Sequence, residues 1–129
     1  MTLPPRLHDG FLPGRHAIDG YGQGGFRFGE ISHKGSIIVL PSGIHAFDAP
    51  DPFRHTEALY ADVFAEAPQI DILLIGAGMI PFPVPDTLRW RFRDAGISAD
   101  AMTTASACST FNVLLAEGRR VAALLVAVS

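Results

Sequence analysis

The sequence has 129 residues and is short of three things: cysteine, long apolar runs and, after Pro85, proline. Cys108 is the only cysteine, which excludes an internal disulfide and favours a reducing compartment. The longest strictly apolar run covers residues 121–128, far short of the roughly 20 residues that a membrane-spanning helix needs. Residues 1–6 lack the apolar core of a signal peptide. We therefore expect a cytoplasmic protein with no membrane span.

The sequence also has little net charge. Ten Lys and Arg against 13 Asp and Glu leave a formal charge of −3, which argues against nucleic acid as a partner. The charges are unevenly placed: residues 48–86 carry seven acidic groups and one basic group, whereas residues 87–129 carry five basic and three acidic groups. Each region is a candidate surface for a protein partner, although solvated helix faces would explain the same pattern.

Glycine and proline divide the chain, which we expect to form a single domain over residues 1–129. Residues 1–52 hold nine of the 13 glycines and six of the ten prolines, a pattern typical of short strands joined by tight turns. The β-branched run at residues 36–40 predicts a central strand buried on both faces. From that strand onward, periodicity and capping residues predict the order βαβαβαβ, with helices packed on a mainly parallel sheet. After that strand, helices are predicted at residues 56–66, 86–96 and 103–117, and strands at residues 70–75, 97–102 and 121–128.

The turn Gly76-Ala77-Gly78 is a partial match to a nucleotide-binding motif. A dinucleotide fingerprint requires a third glycine where this sequence has Pro81. Pro83 further delays the helix whose N-terminus would face a pyrophosphate. We therefore expect no dinucleotide and no other cofactor.

A small anion is a candidate ligand at the same turn. If the flanking strands are parallel, the helix amides near Thr103 and Thr104 lie at the same sheet edge as the turn. The candidate ligand-binding residues are Gly76, Ala77, Gly78, Thr103 and Thr104. Capping of the helix by a threonine explains the last two residues equally well.

Catalytic and metal-binding chemistry has little support in the sequence. The five histidines all precede residue 56 and lack the local pairs typical of metal sites, so we expect no metal. A loop would have to bring His45, Asp48 and His55 together to form one. Cys108 and Phe111 fall on a core-facing helical stripe, which favours an inert, buried thiol. We assign no catalytic residue and favour a protein that is not an enzyme.

The segment 86–96 predicts an amphipathic helix with Phe92 on its buried stripe. At about 100° per residue, the only tryptophan, Trp90, falls on the opposite face beside Arg89 and Arg93. Tryptophan and arginine are enriched among the residues that dominate binding energy at protein interfaces. Arg89, Trp90 and Arg93 are therefore the candidate interface residues. The alternatives are that the Trp90 ring folds over a neighbouring loop or that the helix is rotated.

Several segments, in order along the chain, resemble a known family. The block MTTASACSTFNVLLAEGRRV at residues 102–121 matches the family's C-terminal signature, and LIGAG at 74–78 matches its middle motif. YG and GF within residues 21–26, HKGS at 33–36 and LP at 40–41 match its N-terminal pattern. The chain is identified as a member of a family of small uncharacterised proteins that includes the mitochondrial complex I assembly factor 3 and an adipogenesis-associated cytosolic protein.

The resemblance implies a three-layer α/β fold with a mixed central sheet and a small N-terminal β layer. The family has no established catalytic residues, and its eukaryotic members resemble helpers in assembling respiratory complex I. The resemblance therefore implies a non-catalytic binding or assembly protein whose partner is a protein, such as a respiratory-complex subunit or another assembly factor. The expected contact surfaces include the acidic residues 48–66 and the Trp90 helix. The alternative is an anion- or metabolite-binding protein, or an enzyme, that uses the cleft at the C-terminal sheet edge. Where the family typically has an acid, an arginine and a tyrosine, this sequence has Thr103, Ser109 and Phe111, which puts a family-wide site there in doubt.

Overall fold

The computed structural model describes residues 10–129, so the expectations for the N-terminal segment and for His8 lie outside the described residues. Within residues 10–129 the chain forms nine strands and three α-helices. In chain order they are β1 (Phe11–Pro13), β2 (Gly20–Gly22), β3 (Gly25–Phe28), β4 (Ile31–Lys34), β5 (Ser36–Leu40), β6 (Gly43–Phe47), α1 (Ala61–Ala65), β7 (Ile72–Gly76), α2 (Asp86–Asp94), β8 (Ser98–Met102), α3 (Thr104–Ala116) and β9 (Val121–Leu125). No helix in this part of the chain is long and apolar enough to cross a membrane.

Six strands form the main sheet in the order β1-β6-β5-β9-β7-β8. β7 runs parallel to β8 and β9, whereas β5 is antiparallel to β6 and β9. β2, β3 and β4 form a separate antiparallel sheet. The mixed central sheet implied by the family resemblance is confirmed. The mainly parallel sheet predicted from the order of the elements is wrong, because β1, β5 and β6 of the Gly/Pro-rich first half join the same sheet and make three of its five strand pairs antiparallel. That first half supplies the small sheet together with one side of the main sheet.

Successive residues of the main sheet face two different layers, as the pleat of a strand requires. On β5, Ile38 packs in a cluster with Val63 of α1 and Phe92 of α2. Its neighbour Ile37 packs on the opposite face with Phe111 of α3 and with the small sheet. All five residues of β5 are buried, which confirms the predicted central strand. The molecule thus has three layers: α1 with α2, the main sheet, and α3 with the small sheet.

Strand β6 was not predicted in the order βαβαβαβ. It follows β5 after the turn at Pro41 and Ser42 and pairs with it along its whole length. Gly43 and His45 interrupt the apolar pattern by which a strand is recognised, so the sequence showed only a loop here.

The predicted helix at residues 56–66 is shorter than expected. α1 has five residues and lies between two 3-10 turns, Ala58–Tyr60 and Ala67–Gln69. The residues lost from the prediction are at the N-terminal end, where a 3-10 turn replaces the first α-helical turn. Pro68 accounts only for the C-terminal end, because it has no amide hydrogen and its ring would clash with the preceding turn. The predicted apolar face is nevertheless present, because Val63 and Ala67 are buried. The remaining predicted elements occur with small shifts at their ends.

The side chain of Asn112 ties α3 to the segment before the small sheet. Its Oδ1 accepts a hydrogen bond from the amide of Ile18 at 2.8 Å, and its Nδ2 donates to the carbonyl of Ile18 at 2.7 Å. One side-chain amide therefore satisfies both backbone groups of a residue that lies 94 positions away.

Candidate functional site

The N-terminus of α3 meets the exit of β7, as the sequence predicted. β7 and β8 are parallel neighbours, so the turn after one lies beside the helix that follows the other. The amide of Thr104 donates to the carbonyl of Gly78 at 2.9 Å, and the amide of Ala77 donates to the carbonyl of Met102 at 2.9 Å. Thr103 is the N-cap, and its Oγ1 accepts from the amide of Ser106 at 3.3 Å. The five candidate ligand-binding residues are thus brought together.

The Thr104 hydroxyl closes this junction. Its Oγ1 accepts from the amide of Gly78 at 3.0 Å and donates to the carbonyl of Val126 at 2.7 Å. A Cβ added to Gly76 would lie 3.0 Å from the Cα of Thr104 and from the Cβ of Ala107, so the helix packs directly on the strand exit. The amides of Ala77, Gly78 and Thr104 therefore already donate to protein groups. Binding of a small anion here stays a prediction, and these contacts count against it.

Residues at two of the three departures from the family pattern have structural roles at this helix. Thr103 supplies the cap in place of an acid, and Phe111 is buried against the sheet in place of a tyrosine. Ser109 is exposed, and nothing in the structure explains its replacement of an arginine.

Helix α2 presents the candidate interface residues as expected from its periodicity. Phe92 is buried, whereas Trp90 is 59% exposed. The guanidinium carbon of Arg93 lies 5.5 Å from the centroid of the Trp90 ring, within cation–π range. Trp90, Arg89 and Arg93 line a surface groove of about 510 Å³ together with the start of the edge strand β8. The alternative, in which the ring folds over a loop, does not fit this exposure.

The only thiol is unsuited to nucleophilic chemistry. Cys108 is buried, and desolvation raises the pKa of its thiol to about 12, so the reactive thiolate is not formed near neutral pH.

Across residues 10–129, no three His, Cys, Asp or Glu side chains converge on a metal position, so His45, Asp48 and His55 do not form the loop site considered above.

One polar cluster was not predicted. The Ser42 hydroxyl donates to Glu66 at 2.6 Å and lies 3.3 Å from Nε2 of His45. In a catalytic triad the histidine stands between serine and acid, whereas here serine stands between the other two. The amide of Ser42 also donates to Glu66 at 2.9 Å, so the carboxylate caps the hairpin turn between β5 and β6.

Sequence reasoning also missed an exposed loop after Gly78. Met79 and Ile80 are both exposed there, just before Pro81. The sequence did contain a signal for this loop, namely two consecutive apolar residues between a glycine and a proline. Glycine and proline interrupt helices and strands, so a helix or strand does not bury these two side chains.

These features define a small mixed α/β protein with an inert thiol and with exposed apolar surfaces suited to macromolecular contact. A family model described as "Protein of unknown function (DUF498/DUF598)" matches residues 18–126, and the chain belongs to that family.

Individual relatives agree with this assignment. An uncharacterised protein of Rhodobacter capsulatus is 41% identical over 109 residues, which cover 84% of this chain and 82% of the relative. The crystal structure of a Bartonella henselae protein, described as an outer membrane protein, superposes with a TM-score of 0.86 at 50% identity, covering 91% of this chain and 98% of that one.

A human relative carries a functional name. It is NADH dehydrogenase (ubiquinone) 1 alpha subcomplex assembly factor 3, which is 28% identical over 109 residues. The match covers 84% of this chain but only 59% of the human protein.

Proposed function

We propose that this protein is a non-catalytic assembly factor that binds a protein partner through the face formed by Arg89, Trp90 and Arg93. The observation that carries the proposal is the exposure of Trp90 on a helix whose opposite face is fixed in the core. The name of the human relative supports a role in assembling a multi-subunit complex.

The chemistry of this face suits a protein contact. A tryptophan carries one of the largest apolar surfaces of any side chain, and it is solvated here beside two cations. Burial of such an anchor at an interface contributes about 2 kcal/mol or more when the surrounding contact excludes water. Arg89 and Arg93 would add donors for acidic groups of the partner.

The proposal is tested by crosslinking and affinity purification of the full chain from its native cells. The double variant Arg89→Ala/Trp90→Ala is compared with Val113→Ala, which truncates another side chain of similar exposure on α3. We expect the double variant to lose a partner that wild type and Val113→Ala retain. Equal recovery of every partner by all three chains would refute the assignment of this face.

The proposed location is the cytoplasm, as the single cysteine suggests. The Bartonella henselae relative carries a different description, so cell fractionation is the relevant measurement. Recovery of the native protein with the outer membrane would overturn this part of the proposal.

A further inference from the structure

The loop after β7 concentrates exposed apolar side chains. Six large hydrophobic side chains are exposed in residues 10–129, and three of them lie within four positions of one another. Met79 is 78% exposed, Ile80 67% and Phe82 37%. Single exposed hydrophobic residues are common on protein surfaces, but a contiguous cluster of this kind marks interaction sites.

This loop is held in place from within the molecule. At its start, the Thr104 hydroxyl accepts a hydrogen bond from the amide of Gly78. Near its end, Nε2 of His55 donates to the carbonyl of Phe82 at 2.7 Å, since a carbonyl can only accept. Nδ1 of the same ring then accepts from the hydroxyl of the buried Tyr60 at 2.6 Å. The apolar side chains are therefore presented by an anchored loop.

A groove separates this loop from the segment that follows β6. Met79, Ile80 and Phe82 form one wall, and Phe47, Pro50 and Phe53 contribute to the rest of the lining. Its volume is about 600 Å³, within the range of ligand sites. Met79 and Ile80, which line this groove, are largely exposed to solvent, so the groove is open. A site for a small molecule, in contrast, encloses most of its ligand. An extended or helical segment of another protein suits such an open groove better than a free metabolite.

Charge identifies the kind of segment. Among the described residues that line the groove, the only charged side chains are Asp48 and Asp51. They belong to the stretch 48–86, whose single basic residue is Arg54 against seven acids. A cationic segment is attracted to this rim, whereas an anionic lipid surface or a symmetric second copy would bring like charges together.

We propose that this groove binds a peptide segment of a partner protein that carries a large apolar side chain next to lysine or arginine. The apolar side chain enters between Ile80 and Phe53, and the cation meets Asp48 and Asp51 at the rim. This surface has no lining residue in common with the Trp90 groove, so it goes beyond the proposed function and can fail or hold independently of it.

The test is fluorescence anisotropy of the full chain with three labelled synthetic peptides of equal length. The first alternates Leu and Phe with Lys and Arg; the second replaces the cations by Glu; the third keeps the cations and replaces Leu and Phe by Ser. We expect the first peptide to bind at least tenfold more tightly than the other two, with affinity falling as salt rises. Equal binding of the acidic peptide would overturn the proposal.

Three variants locate the binding. Met79→Ser/Ile80→Ser should weaken the first peptide at least tenfold, and Asp48→Asn/Asp51→Asn should weaken it and flatten its salt dependence. Val113→Ser, which changes another exposed hydrophobic side chain away from the groove, should bind like wild type, as should Arg89→Ala/Trp90→Ala. Because the substituted side chains are at the surface, circular dichroism should verify an unchanged fold. Unaltered binding by Met79→Ser/Ile80→Ser would overturn the proposal.

Two further measurements distinguish other occupants. Phosphatidylcholine vesicles with and without phosphatidylglycerol are sedimented with wild type and with Met79→Ser/Ile80→Ser. Co-sedimentation that only wild type shows would assign the groove to a membrane surface and overturn the peptide proposal. Self-association in analytical ultracentrifugation that the same variant abolishes would assign it to a second copy, with the same consequence.

Discussion

Replacing Thr104 by valine removes a buried hydroxyl while keeping the branched shape of the side chain. Two backbone groups then lose their partner: the amide of Gly78, which is buried, and the carbonyl of Val126, which is partly buried. A buried group without a partner costs about 1–3 kcal/mol, and a partly solvated one loses about 0.5–1.5 kcal/mol of net hydrogen-bond energy. We therefore expect Thr104→Val to lower the free energy of unfolding by about 1.5–4.5 kcal/mol.

The expected shift in melting temperature follows from chain length. An unfolding entropy of about 2.1 cal/mol/K per residue gives about 0.27 kcal/mol/K for 129 residues, or about 4 °C per kcal/mol. Thr104→Val should therefore melt about 6–17 °C below wild type in circular dichroism, with a matching fall in the urea midpoint.

Two neighbouring variants make the result interpretable. Thr103→Ala removes the exposed N-cap hydrogen bond from the Ser106 amide and an exposed hydrogen bond to the Ser106 hydroxyl. Loss of such a cap costs about 1 kcal/mol, so the variant should lower the melting temperature by about 4 °C. Thr104→Ser keeps the hydroxyl and should lie closer to wild type than Thr104→Val does. If Thr104→Val is no more destabilising than Thr103→Ala, the buried hydroxyl does not hold this junction.

Other changes have defined outcomes. Gly76→Ala places a Cβ 3.0 Å from neighbouring atoms and should cost about 1–3 kcal/mol in urea unfolding, whereas Gly20→Ala, whose Cβ meets nothing nearer than 3.8 Å, should cost less. Native Cys108 should react with a disulfide reagent at pH 8 far more slowly than the urea-unfolded chain, and equal rates would contradict its burial. Burial raises the pKa of this thiol from 9.0 to about 12, so its contribution to the free energy of unfolding is present below pH 9 and should be lost as pH rises from 9 to 12. Cys108→Ala should lessen this loss. Fluorescence of Trp90, the only tryptophan, should be readily quenched by acrylamide in the free protein and protected in a complex that buries it.

Local signals explain what could be predicted. Thr103 and Gly118 bracket α3, and Asp86 and Gly96 bracket α2, because caps and stops are decided by residues within one turn of the helix end. The exposure of Trp90 followed from helical geometry alone.

The rest depends on contacts between residues far apart in sequence. The pairing of Asn112 with Ile18 and the burial of the Thr104 hydroxyl against Val126 leave no local pattern. The groove beside Ile80 is likewise built from four segments, at residues 35–36, 47–53, 77–82 and 126–127, and the sequence of its apolar wall predicts only a proline-rich loop. For the candidate site, residue proximity was therefore predictable, whereas the use of each amide and hydroxyl was not.

The position of β9 has a consequence for how the chain reaches its native state. β9 lies between β5 and β7 and pairs Leu124 with Ile38 on one side and with Ile75 on the other. Until β9 is in place, the antiparallel group β1-β6-β5 and the parallel pair of β7 and β8 have no strand pairing between them, and each keeps an open apolar edge. Such edges are prone to pair with other chains, so during synthesis a nascent chain without β9 depends on rapid closure or on chaperones to remain unaggregated.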